Sequence, residues 1–395
     1  MDIELSVEDL EFRNEVRSFL ADNTYKPGTN YLEWRLDWFK RAAEKGGWDV
    51  PKWPTEFGGP GWSPTQHYIW EQETAVANLP MDAPFGPGTL APLLMAYGSE
   101  EQQQRFLPDI RARTVNWCQG YSEPGAGSDL AGLKTKAVLS DDGSHYVVNG
   151  QKIWTTLAHM ADWIFCLTRT DDTGKKQEGI TFLLFPMKQD GIEVKPIITL
   201  GGSHTVNSVF FTDVKVPVEN RVGEEGKGWT YAKGLLQHER TGLAGISGSI
   251  VALDKLKERA RSVKRGNGTL LDEPGFRAKV AELEIDLMAA ETTELRSLAS
   301  AASGAAPGPG ASVLKLKGTE IQQRIQKLTV EAGGIYSAAW GSAKAGPSFA
   351  KGGMGGYLSS RAYTIYGGAS EVQKDVIAKN VLGLKAGSKS SKKSK

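Results

Sequence analysis

HYVVNGQKIWTT, residues 145–156, is the stretch on which the reading of the fold turns. It is rich in β-branched and aromatic residues, and Asn149-Gly150 at its centre is a strong hairpin signal. Short β-rich runs follow it: DWIFCLTRT (162–170), GITFLLFP (179–186), GIEVKPII (191–198), NSVFFTDVKVP (207–217) and NRVGEE (220–225). Their spacing suits a β-barrel or sandwich. On both sides the texture becomes helical. Upstream, Ser6 with Asp9 resembles a capped helix start, and Phe12, Val16, Phe19 and Leu20 recur at helical spacing. Residues 49–65 hold four prolines and three glycines and are predicted to be irregular. HYIWEQETAVANL (67–79) is helical again, MDAPFGPGTLAPL (81–93) breaks the regularity, and Ser99 with Gln102 forms a capping box at the head of 99–112. Downstream, Gly234 to Val263 is predicted as one long helix. Residues 274–302, 311–334 and 370–384 form three more, with a linker at Gly304–Gly310. The expectation is an α+β multidomain chain: an N-terminal helical domain (1–117), a middle β-barrel or sandwich domain (118–228) and a C-terminal four-helix-bundle domain (229–386). The basic tail at 387–395 is predicted to be disordered.

The 395 residues exceed what one hydrophobic core usually serves. Hydrophobic residues make up 40% and charged residues 24%, which excludes disorder over most of the chain. Lys and Arg total 47 against 46 Asp and Glu, so net charge gives no reason to expect nucleic acid as a partner. The only two cysteines, Cys118 and Cys166, exclude a disulfide framework and a cysteine-rich zinc site. The five histidines are dispersed without HxxxH or HExxH, so no metal is expected. There is no GxSxG and no Walker A sequence. Apolar runs are far shorter than the roughly 20 residues of a spanning helix, so no membrane insertion is expected. The opening MDIELSVEDLEF lacks the basic start and apolar run of a signal peptide, and the expected location is cytoplasmic.

Four places could carry chemistry. Leu236, Leu243, Ile246, Ile250 and Leu253 recur at helical spacing, and Glu239-Arg240 falls in the gap of that stripe. A carboxylate there is either half of a buried ion pair or a general base raised by desolvation, and pattern alone does not separate the two. Tyr121 to Asp129 offers serine hydroxyls and glycine amides, which suit a phosphate or cofactor rim, or simply a turn. Its GxG fails the dinucleotide pattern at Leu130, and no βαβ unit surrounds it. Trp154-Thr155-Thr156 suits stacking on a flat ring with a hydrogen bond to its edge, or a core tryptophan with β-branched neighbours. Tyr366 to Glu371 is a Gly-Gly turn into a helix capped by Ser370, which is either a ligand-approaching turn or a plain N-cap.

Together and in order, YSEPGAGSDLAGLKTKA (121–137), YVVNGQKIWTT (146–156), DVKVPVENRVGEEGKGW (213–229) and YTIYGGASEVQKDVIAK (363–379) resemble the acyl-CoA dehydrogenase family, over about residues 6 to 386. VLKLKGTEIQQ (313–323) and Asn207–Phe211 are similar to large subunits of pimeloyl-CoA dehydrogenase-type members. The resemblance implies FAD and oxidation of an acyl-CoA thioester to the trans-2-enoyl-CoA, with a carboxylate taking the Cα proton and flavin N5 the Cβ hydride. It implies that Trp154 and Thr156 meet the isoalloxazine, that Ser122 and Tyr121 meet its pyrimidine side, and that Gln119 faces it. Gly127 and Ser128 would touch FAD, with Ser128 also reaching the CoA portion. Ala369 and Glu371 would lie near the FAD phosphates and adenosine, although Ala369 lacks the usual Thr hydroxyl. Arg240, Tyr366 and Gly367 would border the substrate.

Many members carry the base as Glu in Tyr-Glu-Gly-Thr, where this chain has Gly367. A minority place it in a Glu-Arg motif on the long C-terminal helix, which Glu239-Arg240 matches, so the resemblance makes Glu239 the catalytic base. Gly367 would leave room for a branched or bulky acyl chain. The usual Arg-x-x-Phe-Gly is absent from ARSVKRGNG (260–268), and the usual Gln before Gly-Gly is absent from LTVEAGG (328–334). Both normally complete FAD binding across a subunit interface, so the partner is expected to be either a second copy, as a homo-oligomer, or a related small subunit in a heterotetramer. An electron-transfer flavoprotein is the expected acceptor. The same fold also serves acyl-CoA oxidases and flavin monooxygenases, and a non-catalytic subunit is a further alternative.

Overall fold

The computed structural model describes residues 5–25, 28–80, 85–234, 244–302, 310–339, 346–347, 350 and 352–384. The chain divides into two compact units, Met1–His238 and Glu239–Lys395.

The first unit begins with helices α1 (Val7–Asp22), α2 (Tyr31–Glu44) and α3 (Pro64–Val76). Ser6 caps α1 by accepting from the Asp9 amide, as expected, and Phe12, Val16 and Leu20 form its buried stripe. They pack with a tryptophan core in which Trp38 and Trp70 lie parallel, ring centres 6.1 Å apart. Glu73 of α3 is buried beneath Arg13 and Arg17 of α1, which tie the two helices together. Of residues 49–65, predicted to be irregular, 49–63 are so apart from one 3₁₀ turn, while Pro64 and Thr65 already open α3. The break predicted over 81–93 is shorter than expected. Gly86–Leu90 is a π-helical turn that runs directly into α4 (Ala91–Tyr97), with Pro92 near its start. Helix α5 (Glu100–Ala112) carries the Ser99/Gln102 capping box.

Seven strands follow: β1 (Trp117–Gly120), β2 (Lys136–Leu139), β3 (His145–Thr156), β4 (Trp163–Arg169), β5 (Ile180–Pro186), β6 (Ile192–Ile198) and β7 (His204–Pro217). They form one hydrogen-bonded network. Strands β1 and β2 share one edge of β4, both parallel to it, and β5 takes the other edge. Strand β2 continues to β3, β3 to β7 and β7 to β6, all antiparallel. Strands β4 and β5 are buried along almost their whole length, which explains their unbroken apolar runs.

Asn149-Gly150 is not a hairpin. HYVVNGQKIWTT is one continuous strand, and the dipeptide sits opposite a bulge where Val148 pairs Val214 but Gly150 pairs Phe211. The Asn149 side chain exchanges hydrogen bonds with Asp213, donating to its Oδ1 at 3.0 Å and accepting from its amide at 2.9 Å. Gly150 has φ +150°, and a Cβ there would stand 2.7 Å from the Thr135 Cα. The glycine therefore serves close strand packing rather than a turn. Residues 220–225 are not a strand either: Val218–Asn220 is a 3₁₀ turn, and Arg221 makes a single bridge to Leu183.

Residues 228–234 begin a helix. The single helix expected from Gly234 to Val263 is interrupted at Gly245, whose φ of +57° is left-handed; α6 (Ile246–Ser262) starts there. Helices α7 (Pro274–Ala302) and α8 (Gly310–Gly333) follow, then the short α9 (Gly353–Ser360) and α10 (Ser370–Asn380). Helix α8 is the hub of this unit: α6, α7, α9 and α10 all pack on it. Leu253, Leu256, Leu283, Ile321 and Ile325 form the seam. The linker residues 304–309 and the basic tail at 387–395 lie outside the described residues. Among the described residues no helix is long and apolar enough to cross a membrane.

Candidate active site

On the first unit the predicted residues converge around a second β-bulge. Lys152 pairs Val209, but the next pair is Thr155 with Asn207, so β3 carries one extra residue there. Trp154 occupies the bulge with φ +60°. This left-handed conformation is unusual for a side chain of that size. Trp154 is 58% exposed, whereas Thr155 is buried and Thr156 is half-buried. The two bulges re-phase the strands in turn. Tyr146, Val148 and Lys152 face inward before the second bulge and Thr155 after it, matched on β7 by Val216, Val214, Val209 and Asn207.

The chain leaving β1 docks against the same place. The Tyr121 carbonyl accepts from Lys152 Nζ at 3.2 Å, and the Ser122 carbonyl accepts from the Ile153 amide at 2.9 Å. Lys152 is fully buried and also donates to Glu123 Oε1 at 2.8 Å. Glu123 in turn accepts from the amides of Lys134 at 2.6 Å and Thr135 at 2.9 Å. Burial alone would raise its carboxyl, but the Lys152 ammonium and these hydrogen bonds hold it below the usual glutamate range. Residues 123–126 close a tight turn with reciprocal backbone bonds of 3.0 Å. Beyond it, Gly127 and Ser128 are exposed. Gln119, on β1, is half-buried, and its Nε2 is shielded from solvent without a hydrogen-bond partner.

On the second unit, Tyr366, Gly367 and Ala369 lie on one turn between α9 and α10, and Glu371 follows in the first turn of α10. Lys315, fully buried on α8, donates to the carbonyls of Tyr363 at 3.0 Å and Gly368 at 2.8 Å. Gln373 adds a bond of 3.2 Å to the Gly368 carbonyl. Gly367 is left-handed at φ +62°. Burial, with Tyr363 nearby, pushes the Tyr366 hydroxyl up to about 12, so it stays a neutral donor. Ser370 does not cap α10. The cap residue is Ala369, which has no side-chain oxygen, while the Ser370 amide is taken by the Thr364 carbonyl at 3.0 Å. Glu371 is exposed in the first turn.

Glu239 and Arg240 lie outside the described residues, as do Leu236 and Leu243 of the stripe that drew attention to them. Of the stripe's described members, Ile246 and Leu253 are buried in α6, which begins after the left-handed Gly245. Residues 260–268 are the end of α6 and a small hairpin of two-residue strands, β8 (Lys264–Arg265) and β9 (Gly268–Thr269); residues 328–333 end α8. Glu123, Lys152, Asn207 and Lys315 were missed. Lys152 shares strand parity with Tyr146 and Val148, which marks it as inward-facing.

Three family models match in order: acyl-CoA dehydrogenase N-terminal domain over residues 6–113, middle domain over 118–214 and C-terminal domain over 226–382. Acyl-CoA dehydrogenase IpdE1 of Mycobacterium tuberculosis is 36% identical over 95% of this chain and 97% of its own. The chain belongs to the acyl-CoA dehydrogenase family. It is accordingly an oxidoreductase acting on acyl-CoA. Among solved structures it is similar to the ChsE4–ChsE5 complex from Mycobacterium tuberculosis, at 34% identity and TM-score 0.82 over 98% of this chain and all of that one. It is also similar to the Tcur3481–Tcur3483 steroid ACAD, at 30% identity and TM-score 0.81 over 98% and 100%. Acyl-CoA dehydrogenases are flavoproteins in general. The first unit offers what a flat, polar-edged ring system needs: an outward-facing indole, the half-buried hydroxyls of Ser122 and Thr156, and the unpartnered Gln119 amide.

Proposed function

We propose that this chain is the catalytic, FAD-binding subunit of an acyl-CoA dehydrogenase that converts an acyl-CoA thioester to its trans-2-enoyl-CoA. The observation that carries this reading is the bulge that presents Trp154 beside the anchored Tyr121-Ser122 segment. Trp154 and Thr156 would lie along the isoalloxazine, Ser122, Tyr121 and Gln119 at its pyrimidine side, and Gly127 and Ser128 along the way to the pyrophosphate. Ala369 and Glu371 would serve the phosphates and adenosine. When bound, FAD supplies the acceptor for the Cβ hydride. The chain's own residues do the rest. Glu239 takes the proton from Cα. A backbone N–H at the Gly367 turn steadies the thioester oxygen as charge develops on it. Arg240, Tyr366 and Ser128 border the bound ester.

Two finer readings follow. Gly367 has no side chain where many family members carry the base, and a relative over the full length is a steroid ACAD, so the substrate class is a bulky, ring-bearing acyl-CoA of steroid type. The missing Arg-x-x-Phe-Gly and Gln-Gly-Gly segments, with a two-protein complex among the similar structures, favour assembly with a related smaller subunit. An electron-transfer flavoprotein is the proposed acceptor. The domain limits we propose are 1–117, 118–228 and 229–386.

Glu239→Gln tests the central role. Loss of turnover by about 10²- to 10⁴-fold, with flavin content and CoA-ester binding retained, is the expected result. Near-normal turnover overturns it.

A further inference from the structure

Asn207 is fully buried on β7, directly opposite Thr155 in the register that follows the Trp154 bulge. Its Nδ2 donates to the Thr155 carbonyl at 3.0 Å and lies 3.1 Å from His159 Nδ1. Its Oδ1 lies 2.8 Å from His204 Nε2. The two imidazoles stack with centres 4.0 Å apart at 23°.

The hydrogen count fixes every orientation. A primary amide has two N–H bonds and one carbonyl oxygen. The Thr155 carbonyl can only accept, so the nitrogen of Asn207 must face it. The second N–H then points at His159 Nδ1, which accepts and is therefore unprotonated. The oxygen is left for the His204 Nε2–H. A reversed amide would set two acceptors against each other at Thr155. One buried side chain thus reads a backbone carbonyl and is itself held by two rings.

That carbonyl belongs to the residue that follows Trp154. The bulge leaves Ile153 and Trp154 without partners in the β7 register, which resumes at Thr155 opposite Asn207. A left-handed tryptophan costs roughly 1–2 kcal/mol and persists only where neighbouring contacts impose it. On the amino side the Ile153 amide is fixed to Ser122, and on the carboxyl side the Thr155 carbonyl is fixed to Asn207. Trp154 is pinned between them.

We propose that Asn207 is a positioning residue for the flavin: clamped by the His159–His204 pair, its amide holds the Thr155 carbonyl and so keeps Trp154 aimed outward from the bulge. The inference rests on the FAD reading above and adds a residue to it that need not touch the cofactor.

The test uses the purified flavin-loaded assembly and three variants. Asn207→Asp keeps the size and the acceptor for His204 but loses the donor to Thr155. Its FAD dissociation constant rises about tenfold, the size of one lost hydrogen bond, and its flavin absorption bands change. The turnover number falls while KM for the acyl-CoA stays within about twofold. Asn207→Leu does the same or more. His204→Leu, at an exposed ring, leaves the Thr155 bond in place but loosens the clamp, and still perturbs the flavin bands with a smaller loss of affinity. An Asn207→Asp enzyme with wild-type FAD affinity and spectrum overturns the inference alone. If neither Asn207 variant folds, unchanged flavin bands in His204→Leu overturn it. A wild-type assembly that takes up no FAD overturns the flavin reading and this inference with it.

Discussion

Two glycine-bearing segments of this protein, 121–129 and 363–371, are each anchored by one fully buried lysine, in different chemical ways. Lys152 answers a carboxylate, Glu123, as well as the Tyr121 carbonyl. Lys315 reaches the Tyr363 and Gly368 carbonyls from the second turn of α8. The first anchor is a charge pair inside a sheet, closed by two backbone amides that use the carboxylate's remaining capacity. The second holds the open end of a turn. A buried charge is tolerated only where its partners are complete. The lesson is that these two segments owe their conformation to side chains behind them as well as to glycines such as the left-handed Gly367 and Gly368.

The comparison can be broken most sharply at Lys152. Lys152→Met leaves Glu123 buried and uncompensated and is expected to cost about 3–5 kcal/mol in the first urea transition. Restoring part of that loss with Glu123→Gln in the same chain would establish the pair as the cause; a single-variant cost under about 1 kcal/mol would break the comparison. Gly150→Ala comes next, at about 2–3 kcal/mol, because its Cβ would meet the Thr135 Cα as well as the base of its side chain. Lys315→Met removes the ammonium from the Tyr363 carbonyl and leaves Gly368 with Gln373 alone, and should cost about 2 kcal/mol, seen as a lower midpoint of the transition that reports on the helical unit.

Acid sharpens the contrast. The Glu123 carboxyl is depressed below the ordinary 4.5 of a glutamate, as is that of Glu73 beneath Arg13 and Arg17. A depressed carboxyl contributes stability that is fully present above the unfolded-state value and is lost as pH falls through the folded value. Urea midpoints should therefore hold steady down to about pH 5 and fall below it. In Glu123→Gln that fall should be shallower. Ser122→Ala is the smallest effect: stability should change by no more than about 0.5 kcal/mol, and FAD affinity should drop a few-fold, read by flavin fluorescence.

Much of this was legible in the sequence. Capping residues at Ser6 and Ser99, the apolar runs of β4 and β5, and the helical periods of α7 and α8 each agree with the element they form. Two readings failed because one local signal serves two geometries. Asn149-Gly150 suits a tight turn and equally a close-packed point opposite a bulge, and only Thr135 pressing on Gly150 decides between them. Gly245 passes for a tolerated glycine inside a helix until its left-handed φ marks it as the residue before α6. Glu123, Asn207 and Lys315 were not legible at all. A charged or amide side chain in a strand or helix reads as solvent-facing unless its partners, dozens of residues away, are known.

The most direct measurement is the visible absorption spectrum of the protein, purified with any chain that accompanies it, before and after anaerobic addition of acyl-CoA thioesters, steroid-derived ones among them. The account predicts a flavin spectrum that bleaches with a bulky thioester and fails to bleach in Glu239→Gln. A flavin that stays oxidised with every thioester it binds would contradict it.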